Sequence, residues 1–253
     1  MFASIHQRID RRPQPRSITR LLPVAAALFA VTMSAGPGAA AVTVEQVRQG
    51  IENYMKRKFK CTDLKVQVVP HADPSLLQRG RVKTVVITVK RADKKGIVMN
   101  DLYLKATDVT ISLDALFRLR KLRTPSRKSA SMRATIKESE LNQAFGRMEM
   151  PIEQFTLKFE KGQVVATGVY KFIFGNRLKM IADLVPKSKC ADPEQNGIHF
   201  VPQRAWVNGL PLPIGQVRAL LSKINPLIDF GSIPFAPEVK KPVIKKDTLT
   251  ITT

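Results

Sequence analysis

The sequence predicts an α+β fold. Stretches of apolar alternation are bounded by turn signals, three stretches of helical period stand apart from one another, and no βαβ rhythm links them. The expectation is several long antiparallel strands with one helix near each end and one between strand groups. No internal repeat or low-complexity tract interrupts residues 42–253.

The chain opens on a basic leader. Arg8, Arg11, Arg12, Arg16 and Arg20 stand against a single acid, Asp10, and precede an apolar run from Leu21 to Met33 broken only by Pro23 and Thr32. Ser34-Ala35-Gly36-Pro37-Gly38 then breaks any helix, and Ala39-Ala40-Ala41 offers small residues to a peptidase. That order predicts a secretory signal over residues 1–41, cleaved near Ala41. A membrane anchor would need roughly 20 apolar residues, against about 13 here. Arg11-Arg12 suggests twin-arginine export, but Pro13 and the polar residues after it depart from that pattern and favour general secretion. Residues 42–253 are expected to form one domain working in the periplasm or cell envelope.

Without residues 1–41, 37 Lys and Arg stand against 19 Asp and Glu, a net charge of +18 over 212 residues. Such a surface suits an anionic partner: phospholipid headgroups, acidic wall polymer or nucleic acid, of which export makes nucleic acid the least natural. Charge serving solubility alone is the plainer alternative. Cys61 and Cys190 are the two cysteines, and an oxidising compartment permits a disulfide between them. With only His71 and His199 beside them they make no metal-ligand spacing, so neither metal nor cofactor is expected.

The first helix of the domain starts at Thr43, which with Gln46 forms a capping-box pattern. Val44, Val47, Ile51, Tyr54, Met55 and Phe59 recur at helical spacing, and Lys56, Arg57, Lys58 and Lys60 crowd the end where cations suit the helix dipole. Two readings are open for this apolar stripe, a membrane surface or the core. Val85, Ile87 and Val89 then alternate with polar residues, Asp93-Lys94-Lys95-Gly96 reads as a turn, and Ile97 to Leu113 as a long extended stretch bending near Ala106–Asp108. Leu116–Ser131 is the densest charge cluster, with Arg118, Arg120, Lys121, Arg123, Arg127 and Lys128 in either a solvated or an anion-facing loop.

Ser131 to Ile136 returns to a strand, and a short helix follows over Glu138–Arg147 with Leu141, Ala144 and Phe145 on one side. Phe155, Leu157 and Phe159 alternate before the hairpin turn Glu160-Lys161-Gly162-Gln163. Val164–Phe174, a turn at Gly175-Asn176, and Arg177–Val185 continue the series. Pro186–Asn196 is a polar loop, Gly197–Val207 a strand carrying Trp206, and Asn208-Gly209 closes it. A helix from Ile214 to about Ile228 and a last strand from Val243 to Ile251 complete the chain.

No nucleophile elbow, H-E-x-x-H, phosphate-binding Gly loop or C-x-x-C is present, so no enzyme class is indicated, although a site assembled from distant residues leaves no motif. What the sequence does offer is apolar surface. Val164–Val185 is apolar on both alternations: Val164, Ala166, Tyr170, Phe172 and Phe174 on one, Val165, Val169 and Ile173 on the other. A sheet of that kind is covered on both faces or holds an apolar ligand on one. Methionines 99, 132, 148, 150 and 180 add adaptable apolar lining.

The run Ala134-Thr135-Ile136-Lys137-Glu138-Ser139-Glu140-Leu141-Asn142 resembles the strand-then-helix entry of the LmeA-like phospholipid-binding family, where a hairpin series follows as it does here from Phe155 to Val185. Trp206-Val207-Asn208-Gly209-Leu210-Pro211-Leu212-Pro213 is similar to that family's passage before an apolar helix, and Lys245-Lys246-Asp247-Thr248-Leu249-Thr250-Ile251 to its closing strand. The resemblance covers most of residues 80–253. It implies an exported, non-enzymatic phospholipid-binding protein with a long curved antiparallel sheet wrapped around helices, the TULIP-like architecture. It brings no catalytic residues, and this chain departs from the family in its positive charge, its Lys/Arg-rich loop and its Cys pair. On this reading Phe172, Phe174, Met180, Trp206, Leu220 and Ile224 shelter acyl chains. Arg118, Arg120, Arg123 and Arg127 meet the headgroup of an anionic phospholipid or glycolipid at peripheral membrane contact. A structural protein docking on wall polymer by charge, and a hydrolase with an unmarked site, are the alternatives.

Overall fold

A computed structural model describes residues 41–149, 152–170, 176–187, 197–221, 225–231, 233–240 and 242–253. Helix α1 (Val44–Lys58) begins on the expected capping box: the Thr43 hydroxyl accepts from the Gln46 amide at 3.2 Å, and the Thr43 amide donates to Gln46 Oε1 at 2.9 Å. Its stripe is core, with Val47, Ile51 and Met55 fully buried and Tyr54 nearly so. Strands β1 (Lys60–Thr62) and β2 (Lys65–Pro70) follow, then α2 (Pro74–Gln78), β3 (Arg81–Lys94), β4 (Ile97–Thr110) and α3 (Leu113–Phe117). Next come β5 (Ser129–Lys137), α4 (Glu138–Gly146), β6 (Ile152–Glu160), β7 (Gln163–Tyr170), β8 (Asn176–Lys187) and β9 (Gly197–Val207). The chain ends with β10 (Leu210–Pro211), α5 (Ile214–Leu221), β11 (Ile228–Asp229), β12 (Val243–Lys245) and β13 (Thr248–Thr252).

The strands form two sheets among the described residues, all pairs antiparallel, so the fold is α+β as expected. The first has the order β1-β3-β4-β5-β13-β12, with β2 beside β1 on the same edge of β3. The second has the order β10-β9-β8-β7-β6, with β11 beside β10 on β9. Three two-residue turns, Lys95-Gly96, Lys161-Gly162 and Asn208-Gly209, have positive φ at both positions. That geometry matches the right-handed twist of the strands they join.

Helix α4 packs on β4 and β5 of the first sheet and on β6 of the second. Phe145 meets Phe155 edge-on at 5.1 Å and Phe200 at 6.3 Å. The helix also holds β6 by its main chain. The Asn142 side chain accepts from the Leu157 amide at 2.7 Å and donates to its carbonyl at 2.9 Å, and Glu138 accepts from the Phe159 amide at 2.6 Å. Opposite this contact β6 carries a bulge, with Gln154 at φ +50°. Gly168 of β7 leaves it room, since a Cβ there would lie 2.3 Å from Ile152 Cγ2. One continuous apolar cluster runs from Val47 through both inner sheet faces to Ile251.

Several expectations are corrected. The helix starting at Ile214 does not reach Ile228. Asn225 precedes Pro226, whose ring disfavours a helical conformation at the residue before it. The Asn225 side chain instead accepts from the Phe200 amide and donates to the Phe200 carbonyl, at 2.9 and 3.1 Å, and Ile228 pairs with Ile198. The last strand is a hairpin, turned at Lys246-Asp247 with φ +58° at Asp247. The stretch from Ile97 ends at Thr110, because Ser112 caps α3 through the Ala115 amide. Helices α2 and α3, five residues each, and the short strand β1 are too brief to show a period. The turn at Gly175 and the loop 188–196 lie outside the described residues, as does the leader 1–40.

Candidate functional site

Three concave regions stand out. The first is a cavity of about 270 Å³ where the β3–β4 turn, the C-terminal end of α4 and the segment 225–229 converge. β4 contributes Ile97 and Met99, α4 and the residues after it Phe145 and Met148, and the β11 segment Leu227 and Ile228. Met99, Phe145, Leu227 and Ile228 are buried, and Ile97 and Met148 half-buried. Polar groups are confined to Lys94, Lys95, Asn225 and Asp229, with Lys94 Nζ 2.9 Å from Asp229 Oδ2 across 135 residues of sequence. Lys95 is exposed at the two-residue turn. An apolar chamber with a few polar groups is the usual composition of a small-molecule site.

The second is an open groove of about 870 Å³ on the face of the second sheet that points away from the core. Strand register sets Thr156, Thr167, Lys179 and Trp206 in one row across β6, β7, β8 and β9. Val169, Arg177 and Asn208 border it, and the Arg204 guanidinium lies 5.9 Å from the Trp206 ring centroid. The third is a cleft of about 590 Å³ between α1 and α3, edged by Lys56, Arg57, Phe117 and Arg120.

Among the acyl-chain candidates, Met180 is fully buried on the inner face between Ala166 and Ala205, whereas Trp206 lines the outer groove. The sheet lies between them, so these two do not share a site. Leu220 falls on α5, but its side chain, Phe172, Phe174 and Ile224 lie outside the described residues. Arg118, Arg120, Arg123 and Arg127 are all exposed on the stretch after α3. Arg118 pairs with Asp114 at 3.3 Å, the Arg120 carbonyl accepts from Arg57, the Arg123 carbonyl from the Ser112 amide at 3.0 Å, and Arg127 donates to the Ala236 carbonyl at 2.9 Å. Only Arg120 borders one of the three concavities. Cys61 is half-buried with its Sγ 4.0 Å from the Met55 carbonyl, and burial pushes its thiol pKa up. Cys190 lies outside the described residues.

In sequence the residues of the apolar cavity read as strand, turn and helix, not as a site. Met99 and Met148 carried the one available signal, their adaptability as lining. Among the described residues no three His, Cys, Asp or Glu side chains gather as metal ligands, and no helix is long and apolar enough to cross a membrane.

No curated protein and no solved structure matches the chain. The model of the LmeA-like phospholipid-binding family matches residues 26–253, reaching well upstream of the segments that carry the resemblance in sequence. The match covers nearly the whole chain, and the protein belongs to that family.

Proposed function

From that membership we propose that the chain is exported, loses residues 1–41, and binds phospholipid in the periplasm or cell envelope without converting it. An acyl chain enters the cavity beside α4, against Ile97, Met99, Met148 and Leu227, and the headgroup phosphate meets Lys94 and Lys95 at its mouth. The supporting observation is the coincidence, in one cavity lining, of apolar side chains with Lys94 at the end of β3 and Lys95 on the tight turn that follows. Each methylene buried there contributes about 0.8 kcal/mol, and ammonium–phosphate hydrogen bonds are roughly twice as strong as neutral ones.

Native mass spectrometry of the protein after exposure to phosphatidylglycerol vesicles tests this reading. Wild type is expected to retain lipid, Met148→Trp to lose it by filling the cavity, and Lys95→Glu to lose preference for the anionic lipid over phosphatidylcholine. A wild-type protein that never carries lipid would sink the proposal. A second position is favoured by one observation, the half-buried Trp206 and Val169 between the cations Arg177 and Lys179. Retention of lipid by Met148→Trp with loss in Trp206→Ala would move the site to that groove. Binding to acidic polymer that collapses with salt, with no lipid carried, would favour docking by charge alone.

A further inference from the structure

We infer that the segment Phe117–Arg123 is a membrane-docking element, seating the protein on an anionic phospholipid surface by inserting Phe117 and Leu119 beneath a ring of cations. The inference rests on the phospholipid-binding reading above and names where such a protein meets its source of lipid.

Phe117 is 41% and Leu119 53% exposed, an unusual placing for two large apolar side chains two residues apart. Most other exposed large hydrophobics stand singly, as Leu210 does at a hairpin tip. Arg118, Arg120, Lys121 and Arg123 interleave with them, and Lys56 and Arg57 of α1 border the adjoining cleft. The nearby acids are already engaged: Asp114 with Arg118, and Glu52 with Lys56 and Arg48. No ion pair joins Arg120, Lys121 or Arg123 to a described carboxylate.

The display is held in shape by main-chain bonds. The Arg118 and Leu119 amides donate to the Asp114 carbonyl at 2.9 and 3.3 Å, and the Lys121 amide to the Ala115 carbonyl at 2.7 Å. Arg120 sits at φ +53°, and its carbonyl accepts from Arg57. Leu122 turns back against the core, so the apolar side chains left outward are Phe117 and Leu119. The segment therefore need not be ordered on contact, and little side-chain freedom beyond the two inserted groups is lost.

Charge complementarity selects the occupant. Six exposed cations, Lys56, Arg57, Arg118, Arg120, Lys121 and Arg123, are set against two carboxylates, Glu52 and Asp114, which pair with Lys56 and Arg118 and leave the charge positive. A basic set of this kind is drawn to an anionic leaflet by a factor of roughly five per cation near the surface. Apolar tips among the cations distinguish a bilayer from a soluble polyanion, because only the bilayer has an interior to receive them. The docking element and the apolar cavity share no residue, so the two can be tested apart.

The test is cosedimentation of the full domain with vesicles of equal parts phosphatidylglycerol and phosphatidylcholine, and with phosphatidylcholine alone. Wild type is expected to bind the anionic vesicles and not the neutral ones. Arg120→Gln/Lys121→Gln/Arg123→Gln should weaken binding roughly 100-fold, about five-fold for each cation. Phe117→Ser/Leu119→Ser should weaken it at least 10-fold with the charge untouched, while Met148→Trp docks as wild type. A Phe117→Ser/Leu119→Ser protein that binds vesicles normally would overturn insertion, and one that binds soluble polyphosphate as tightly as vesicles would assign the patch to polymer. If wild type docks but never carries lipid, the cavity reading fails and this one stands.

Discussion

Away from the core, the first sheet presents a row formed by Lys65, Thr88, Tyr103, Arg133 and Thr252 across five strands. The matching face of the second sheet presents Lys158, Val165, Ile181 and Arg204 in one row and Thr156, Thr167, Lys179 and Trp206 in the next. Inner faces are alike in the two: Val85, Ile87, Leu102 and Leu104 are as buried as Leu157, Val164, Met180 and Phe200. The difference lies outside. The first sheet sets Val69, Val86 and Tyr103 among lysine, arginine and threonine, whereas the second leaves Val165, Val169, Ile181 and Trp206 half-covered among its cations. Apolar residues on both alternations thus occur in both sheets, and the groove centred on Trp206 is what sets the second apart.

Four measurements sharpen or break that comparison. The largest effect is expected from Phe145→Ala, which empties the junction where α4 joins both sheets and should cost about 3–5 kcal/mol. Denaturant unfolding read by far-UV circular dichroism and by Trp206 fluorescence should remain coincident in wild type. Separate transitions would mean that the sheets do not share one core. Asn142→Ala comes next at about 1–3 kcal/mol, since it leaves the amide and carbonyl of Leu157 without their partner. The outer faces themselves are compared by Ile181→Thr, at roughly 1 kcal/mol from partial loss of apolar burial, and Tyr103→Thr, within about 0.5 kcal/mol on the polar face. Equal costs would erase the distinction.

The smallest effect is electrostatic. The hydrogen bond from Arg48 holds the Glu45 carboxyl down at about 2, below its ordinary 4.5. A depressed carboxylate pKa stabilises the folded state fully above the unfolded value, and that contribution is lost as pH falls through 4.5 toward about 2. Glu45→Gln should flatten the Tm-against-pH profile in that window. Superimposable profiles would show that this exposed pair has no thermodynamic weight.

What could be read from sequence was local. Thr43 and Gln46 announce α1, and Lys95-Gly96, Lys161-Gly162 and Asn208-Gly209 announce their hairpins, because each signal is complete within four residues. The cavity was not legible for the opposite reason. Lys94 meets Asp229, and Met99 and Leu227 come to line one cavity, only after two sheets and α4 have closed on one another. Met180 and Trp206 look alike as apolar strand residues, yet they differ in parity along the strand ladder, which sends one to the core and the other to the groove. The apolar period that starts at Ile214 runs on to Leu227 and so outlasts the helix, because Pro226 changes the chain's course.

The grip of α4 on β6 bears on how copies of the molecule behave toward one another. β6 ends its sheet, and a terminal strand ordinarily offers a ladder of amides on which another chain can polymerise. Here the donors of Leu157 and Phe159 are occupied by Asn142 and Glu138. A second chain could extend the sheet at those positions only by prising off the helix, which would strip Leu141 and Phe145 from their packing. The two side chains that dock the helix therefore also withhold these two positions from another chain, and Glu138→Ala/Asn142→Ala would expose them.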